Sequence, residues 1–202
     1  MCSSDLTYFS SRLLSPRLSR FFEANPGISL RIEPINSVDM MRSVKVDMAI
    51  LWGIDGWVGH KSELLLSLPA VPTASSAVAE QVRQLGLAEA VRQLPLLGDS
   101  YGDAGWRAWH AAAGLPYAPS RSSLTIPDSN SRVHAVVDGQ WIALWDDLVA
   151  PEIDDGTLVR LSDVGVKDAG YRILFTERPM SQSAEAFLDW LRAENDRSER
   201  QA

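Results

Sequence analysis

The chain of 202 residues has a single cysteine, Cys2, so no disulfide can form within it. A reducing compartment fits that count. Its three histidines, His60, His110 and His134, are too dispersed for metal-ligand spacing. No metal site and no cofactor are therefore expected, and each histidine reads as a surface or hydrogen-bonded structural residue. Positive charge is also short: 19 Lys and Arg stand against 26 Asp and Glu, a net charge of −7. That is the wrong sign for a surface that must neutralise many phosphates, so this piece by itself is not expected to bind DNA. The longest apolar runs, such as Ala49 to Trp52 and Leu64 to Leu66, fall far short of the roughly 20 residues needed to cross a bilayer. Polar Met1 to Asp5, and a following stretch broken by Thr7, Ser10, Ser11 and Arg12, carry no export signal, which makes the cytoplasm the expected location.

What is present is an ordinary folded composition, with 46% hydrophobic and 22% charged residues and no repeat or low-complexity tract. Leu14, Leu18, Phe21 and Phe22 recur at helical spacing and stop at Asn25-Pro26-Gly27, which predicts a first helix. Ile28, Leu30 and Ile32 alternate with polar residues as a half-buried strand should, and Ser37 to Ser43 makes a helical crossover to an apolar strand, Val46 to Trp52. The alternation continues with Leu64 to Val71 extended, Ala77 to Leu85 helical, Leu94 to Leu97 extended and Asp103 to Ala113 helical. Asp128 or Ser129 then caps a helix ending at Gly139. Strands follow at Trp141 to Trp145, Leu158 to Leu161 and Tyr171 to Phe175, with a last helix over Ser183 to Glu194. Strands alternating with helices predict βαβ units and parallel sheets.

The sharpest catalytic pattern is Gly98-Asp99-Ser100-Tyr101-Gly102, a match to the nucleophile elbow of serine hydrolases. The histidine order is poor: His110 lies on the next helix and His134 leaves a long stretch without a histidine behind it. Asp146-Asp147 and Asp154-Asp155 read as caps and solvated charge in preference to acid/base pairs. Of the seven tryptophans, Trp52 and Trp145 lie at strand ends, where clefts form, while Trp106, Trp109 and Trp190 read as core packing. Helix N-termini at Thr7 to Ser11, Ser37 and Asp128 to Ser131 carry short polar residues suited either to an anion or to self-capping.

One ordered set of blocks goes further than these motifs. Phe9-Ser10-Ser11-Arg12-Leu13-Leu14-Ser15-Pro16-Arg17-Leu18 with Asn25-Pro26-Gly27-Ile28 resembles the start of the effector domain of LysR-type transcriptional regulators. Val46-Asp47-Met48-Ala49-Ile50, Trp57-Val58-Gly59, Leu94-Pro95-Leu96-Leu97, Trp106-Arg107-Ala108-Trp109, Gly139-Gln140-Trp141-Ile142-Ala143-Leu144 and Phe187-Leu188-Asp189-Trp190-Leu191 resemble the branch containing the glycine-cleavage activator and the β-lactamase regulator. The likeness runs from about Tyr8 to Glu194.

The resemblance implies an α/β fold of the type 2 periplasmic-binding-protein kind, two Rossmann-like lobes joined by two crossover strands near Leu68 to Thr73 and Val166 to Tyr171. Residues 1–72 with 168–202 would form lobe I, and 73–167 lobe II. It implies a non-enzymatic sensor and a small-molecule effector, such as an organic acid or amino-acid-like compound, bound between the lobes. The contacts would come from Thr7, Tyr8, Ser10, Ser11, Pro72, Thr73, Thr125, Ile126, Asp128 and Ser129, with Trp52 and Trp145 added from their strand-end positions. A homodimer or higher oligomer is expected, contacting DNA only through a winged helix-turn-helix for which this sequence holds no residues. Polar Met1 to Asp5 stands where the family has an apolar first strand, and Ser15 replaces a common Leu, so the first lobe is expected to be weakened or completed by a partner chain. The rival readings are a free solute-binding protein of the same fold and a serine hydrolase using Ser100. A labelled fluorophosphonate is expected to leave Ser100 unmodified; stoichiometric labelling there would favour the hydrolase.

Overall fold

The computed structural model describes residues 5–35, 38–54, 57, 59–99, 102–118, 124–166 and 168–199. The opening helical run is broken into pieces. Helix α1 (Asp5–Phe9) passes into a π-helical turn over Ser10–Leu14, Pro16 stands in the turn that follows, and α2 (Leu18–Ala24) completes the run. Proline brings no N–H and crowds the preceding turn, so an unbroken helix cannot pass through it. The interruption resets the helical phase: Leu14 and Phe21 are buried as the periodicity predicts, whereas Phe22 is 41% exposed.

Two three-stranded sheets carry the rest. In chain order the elements are α3 (Val38–Ser43), β1 (Met48–Gly53), β2 (Ser62–Ser67), β3 (Val71–Ser75), α4 (Ser76–Leu85), α5 (Leu87–Gln93), β4 (Leu97–Gly98) and α6 (Ala104–Ala112). They are followed by β5 (Leu124–Thr125), α7 (Ser129–Asp138), β6 (Ile142–Trp145), a 3-10 turn (Asp147–Val149), α8 (Ala150–Asp154), β7 (Leu158–Arg160), β8 (Gly170–Phe175) and α9 (Gln182–Glu199). The first sheet has the order β1-β8-β2 and the second β6-β3-β7, with β4 and β5 pairing in parallel beside the second through a bridge from Leu96 to Ile142.

The expectation of parallel sheets needs correction, because β8 is antiparallel to both β1 and β2, and β3 to both β6 and β7. The reason is topological. Each of these central strands begins just after the chain has crossed from the other sheet, and it runs against both neighbours. The outer strands of each trio are consequently parallel to one another, which is what alternating strands and helices would produce alone. The predicted strand over Ile28 to Ile32 forms no ladder: β1 pairs with β8 on one edge, and no described strand reaches the other. Alternation chooses the faces of a strand without supplying its partner.

Both cores are layered. Leu14, Phe21, Ile50, Tyr171, Ile173, Phe187 and Leu191 fill one face of the first sheet, and Ile35, Met41, Ala49, Leu51 and Leu174 the other. Ala74, Val78, Val82, Trp106, Trp109 and Ile142 form one face of the second sheet, and Val133, Val136, Ala143, Trp145 and Leu158 the opposite one. Tyr8 belongs to this last cluster although its neighbour on α1, Phe9, is buried in the first. Trp52 packs against clusters of both sheets.

The two crossings lie side by side. Leu68 donates its N–H to Ala169 O at 3.0 Å and Val166 to Ala70 O at 3.4 Å. Close approach requires Gly170, where an added Cβ would collide with the Leu66 carbonyl oxygen and crowd Leu68 N. Gly170→Ala is expected to destabilise the chain by about 2–3 kcal/mol, because backbone and not a flexible side chain must give way. Denaturant unfolding of parent and variant measures this; equal midpoints would show that the crossings separate freely.

Candidate functional site

A cluster of polar and aromatic groups lies where α1 and the π turn meet α7. Asp128 caps α7, accepting hydrogen bonds from Ser131 N–H and from the Ser131 hydroxyl, both at 2.8 Å. One turn on, the buried Arg132 donates to Ile126 O at 2.9 Å and to Ser129 Oγ at 3.0 Å, tying the entry loop to the helix. Its guanidinium lies 4.7 Å from the centre of the Trp145 ring, and the Tyr8 ring is 5.6 Å from Trp145 on β6. Arg12 reaches over Tyr8 from the π turn, 5.0 Å from its ring centre. Arg12, Tyr8, Trp145 and Arg132 thus form a cation, ring, ring, cation series in which each guanidinium meets the electron-rich face of an aromatic ring.

Arg12 is anchored by a forked pair to Glu152 on α8, at 2.7 and 2.5 Å, and by a bond to Leu148 O at 3.0 Å. The hydrogen bonds to Glu152 raise the Arg12 pKa against the opposing effect of burial, so its charge is permanent. Contacts nearer α7 are longer. Thr7 Oγ1 is 3.4 Å from Asp128 Oδ2, and Ser11 Oγ is 3.5 Å from Asn130 Oδ1 while donating to Tyr8 O at 3.0 Å.

Among the described residues, three buried side-chain polar atoms at this junction have no hydrogen-bond partner: the Tyr8 hydroxyl, Ser10 Oγ and Trp145 Nε1. An unpartnered buried polar group costs about 1–3 kcal/mol, so three in one place favour an ordered water or a polar ligand that would satisfy them. Burial, reinforced by the nearby Asp146, pushes the Tyr8 phenol well above its ordinary pKa and keeps it protonated. Tyr8 and Ser10 can therefore donate or accept, and Trp145 can only donate. A cavity beside Arg132, lined also by Asp99, Gly105 and Leu144, holds about 10 Å³. That is no more than one water needs, and Tyr8, Ser10 and Trp145 are not among its lining residues.

Of the residues singled out in the sequence, the structure brings together Tyr8, Ile126 and Trp145 in one cluster, with Thr7, Ser11, Asp128 and Ser129 on the two facing helical segments and Ser10 in the π turn. Thr125 is exposed on β5, opposite Gly98. Pro72 and Thr73 are buried in β3, where the Thr73 hydroxyl donates to Val71 O at 3.2 Å. Trp52 sits between the two cores instead of in this cluster. Sequence reasoning missed Arg12, Arg132 and Glu152, while Asn130 lies within the Asp128 to Ser131 helix start it marked. Arg132 could have been found three residues after Ser129 on the same helix face; Glu152 pairs across 140 positions and carries no local signal. Ser100, Ser37 and Cys2 lie outside the described residues. His110 is buried with Nδ1 2.7 Å from Trp106 O, Asp146 caps the 3-10 turn through Leu148 N–H, Asp147 pairs with Arg160 and Asp155 accepts from Thr157 N–H.

Two α/β sheets joined by paired crossings, with a polar junction between them, define a ligand-binding domain of the bilobal class. Residues 6–196 match the family model of the LysR substrate binding domain, and the chain belongs to that family. It is 31% identical over 191 residues to the HTH-type transcriptional activator AmpR of Rhodobacter capsulatus, covering 92% of this chain and 63% of that protein. The glycine cleavage system transcriptional activator of Escherichia coli K12 is 29% identical over 191 residues, covering 93% of this chain and 62% of the relative. The effector domain of AmpR from Pseudomonas aeruginosa superposes with a TM-score of 0.81 at 26% identity, covering 95% of this chain and 93% of that one. The fold is therefore of the type 2 periplasmic-binding kind, and the chain is an effector-binding domain of the LysR type. It spans less than two thirds of the length of these curated relatives.

Burial works to raise the Asp128 pKa, but hydrogen bonds from Ser131 and Thr7 and the charge of Arg132 outweigh it and hold the carboxyl below its ordinary value. A depressed folded-state pKa stabilises above the unfolded value, and the gain is lost as pH falls through the folded one. Asp128→Ala should accordingly cost about 1 kcal/mol at neutral pH, as the loss of an N-cap does. The gap between variant and parent should narrow below about pH 4, where the unfolded carboxyl begins to take up a proton. Unfolding curves across pH 2–7 check this; a pH-independent gap would mean that the charge contributes nothing.

Proposed function

We propose that this chain is the non-enzymatic sensing part of a transcriptional regulator, and that its effector is a small metabolite read at the junction of α1, the π turn and α7. The observation that carries this is the set of unpartnered buried atoms on Tyr8, Ser10 and Trp145 beside the guanidinium groups of Arg12 and Arg132. A polar guest rich in acceptor atoms, such as an organic acid or amino-acid-like compound, suits donors of this kind. Thr7, Ser11, Asp128 and Ser129 line its approach. Pro72, Thr73, Thr125, Ile126 and Trp52 complete the expected contacts once the halves have moved.

In this reading residues 1–72 with 168–202 act as one lobe and 73–167 as the other, a division supported by the membership of β1, β2 and β8 in one sheet and β3, β6 and β7 in the other. Parting and closing turns on the paired crossings at Leu68 to Ala70 and Val166 to Ala169. The domain works in the cytoplasm as a homodimer or higher oligomer, and it reaches DNA through a separate part of the regulator. Effector binding matters only in so far as the ligand prefers one lobe arrangement over the other.

A thermal-shift screen against organic acids, amino acids, sugars and cell-wall fragments tests the proposal. A true effector at 100 times its Kd adds about 2.7 kcal/mol, a clear rise in Tm. Tyr8→Phe should retain the fold and lose most of that rise. A ligand whose effect is unchanged by Tyr8→Phe binds elsewhere, and a folded parent that responds to no class would contradict the sensing role.

A further inference from the structure

Between the α4–α5 elbow and the end of α6 lies a pocket of about 450 Å³ that shares no residue with the effector junction. One wall is the elbow itself, where Gly86 turns the chain at a φ of +80° and Leu85 stands 40% exposed at the lip. Val91 and Arg92 of α5 continue that wall, and the strap after α6, Leu115-Pro116, faces it. Tyr117 pins the strap: its hydroxyl donates to Asp103 Oδ2 at 3.0 Å, and the Arg107 guanidinium lies 4.6 Å from its ring centre. A volume of this size falls within the range of small-molecule sites.

The lining includes one deeply buried polar side chain. His110 is 2% exposed, and its Nδ1 lies 2.7 Å from Trp106 O on the same helix. A carbonyl oxygen only accepts, so Nδ1 carries a proton, and in the neutral ring Nε2 is then an acceptor. Among the described residues Nε2 has no hydrogen-bond partner. With Nδ1 turned back onto α6, Nε2 is the polar atom that His110 brings to the pocket. The rings of Trp106, Trp109 and Tyr117 surround it edge to face, with centres at 6.0, 5.0 and 5.2 Å, which fixes the direction of that acceptor.

The charges at the rim already satisfy one another. Arg92 pairs with Glu89 at 2.5 Å, and Gln93 donates to the same carboxylate. A charged guest would find no free counterion there, whereas Leu85, Leu87, Val91, Leu115 and Pro116 offer an apolar bed. What the pocket asks of a guest is a flat apolar body and one donor. We propose that it is a second ligand site, taking a neutral aromatic compound of the phenol class whose O–H donates to His110 Nε2. An aromatic ring suits the cluster beneath it, since edge-to-face contacts extend across such groups.

The probes are 4-methylphenol and 4-methylanisole, which are close in shape while the second has no donor. Binding to the full chain is measured by calorimetry, and the two His110 nitrogens are followed by proton–nitrogen correlation NMR. The expected result is saturable binding of the phenol, on the order of tenfold tighter than the anisole, with the Nε2 resonance shifted and Nδ1 nearly unmoved. Ala88→Trp, at an exposed position on the lip, fills the mouth and should abolish binding. His110→Phe should bring the two probes to equal affinity; if that variant fails to fold, the nitrogen resonances of the parent decide the same point. Equal affinity of the two probes in the parent, an unmoved Nε2, or binding that survives Ala88→Trp would each overturn the proposal. So would a folded parent that binds neither probe. Effector binding at Tyr8 is read separately, so the failure of one site leaves the other standing.

Discussion

Tyr8 is the constraint on which the arrangement depends. It is carried by a helix whose next residue, Phe9, anchors in the first sheet's core, yet its own ring is buried against Trp145 in the second. Two consecutive residues thus fasten one short helix to two separate cores. The π turn that follows widens the helical path and carries Arg12 to Glu152 and Leu148 O. Any separation of the two sheets must therefore act on Tyr8, which explains why a ligand sensor of this design would place its polar atoms there.

This anchoring leaves a physical tension. Burying the Tyr8 hydroxyl, Ser10 Oγ and Trp145 Nε1 without partners opposes the closed junction, while stacking and the Arg12–Glu152 pair favour it. Polar groups that are costly in one arrangement and satisfied by a guest in another bias a two-state element. The long Thr7–Asp128 and Ser11–Asn130 contacts, at 3.4 and 3.5 Å, add little to hold the halves together.

Much of this was legible in the sequence, for identifiable reasons. Asp128 as a cap, Gly139 as a stop, and the apolar run of β1 are local signals, and each appears where local chemistry places it. Strand direction was not legible, because β3 and β8 take their orientation from the crossings and not from their own residues. Ile28 to Ile32 shows the limit from the other side: its alternation is strand-like, but a ladder requires a neighbour that local sequence cannot provide. At the site, short polar residues at helix starts were found because N-terminal N–H groups demand them. Arg12 and Glu152 were not, since what they do depends on a pairing across the fold.

The most direct test of the central claim is hydrogen exchange of the whole chain with and without an effector recovered by ligand screening. The account predicts that the changes concentrate at Thr7 to Ser11 and at Asp128 to Arg132, with smaller ones at the crossings. Changes confined to other surfaces, with both of these segments unaltered, would contradict it.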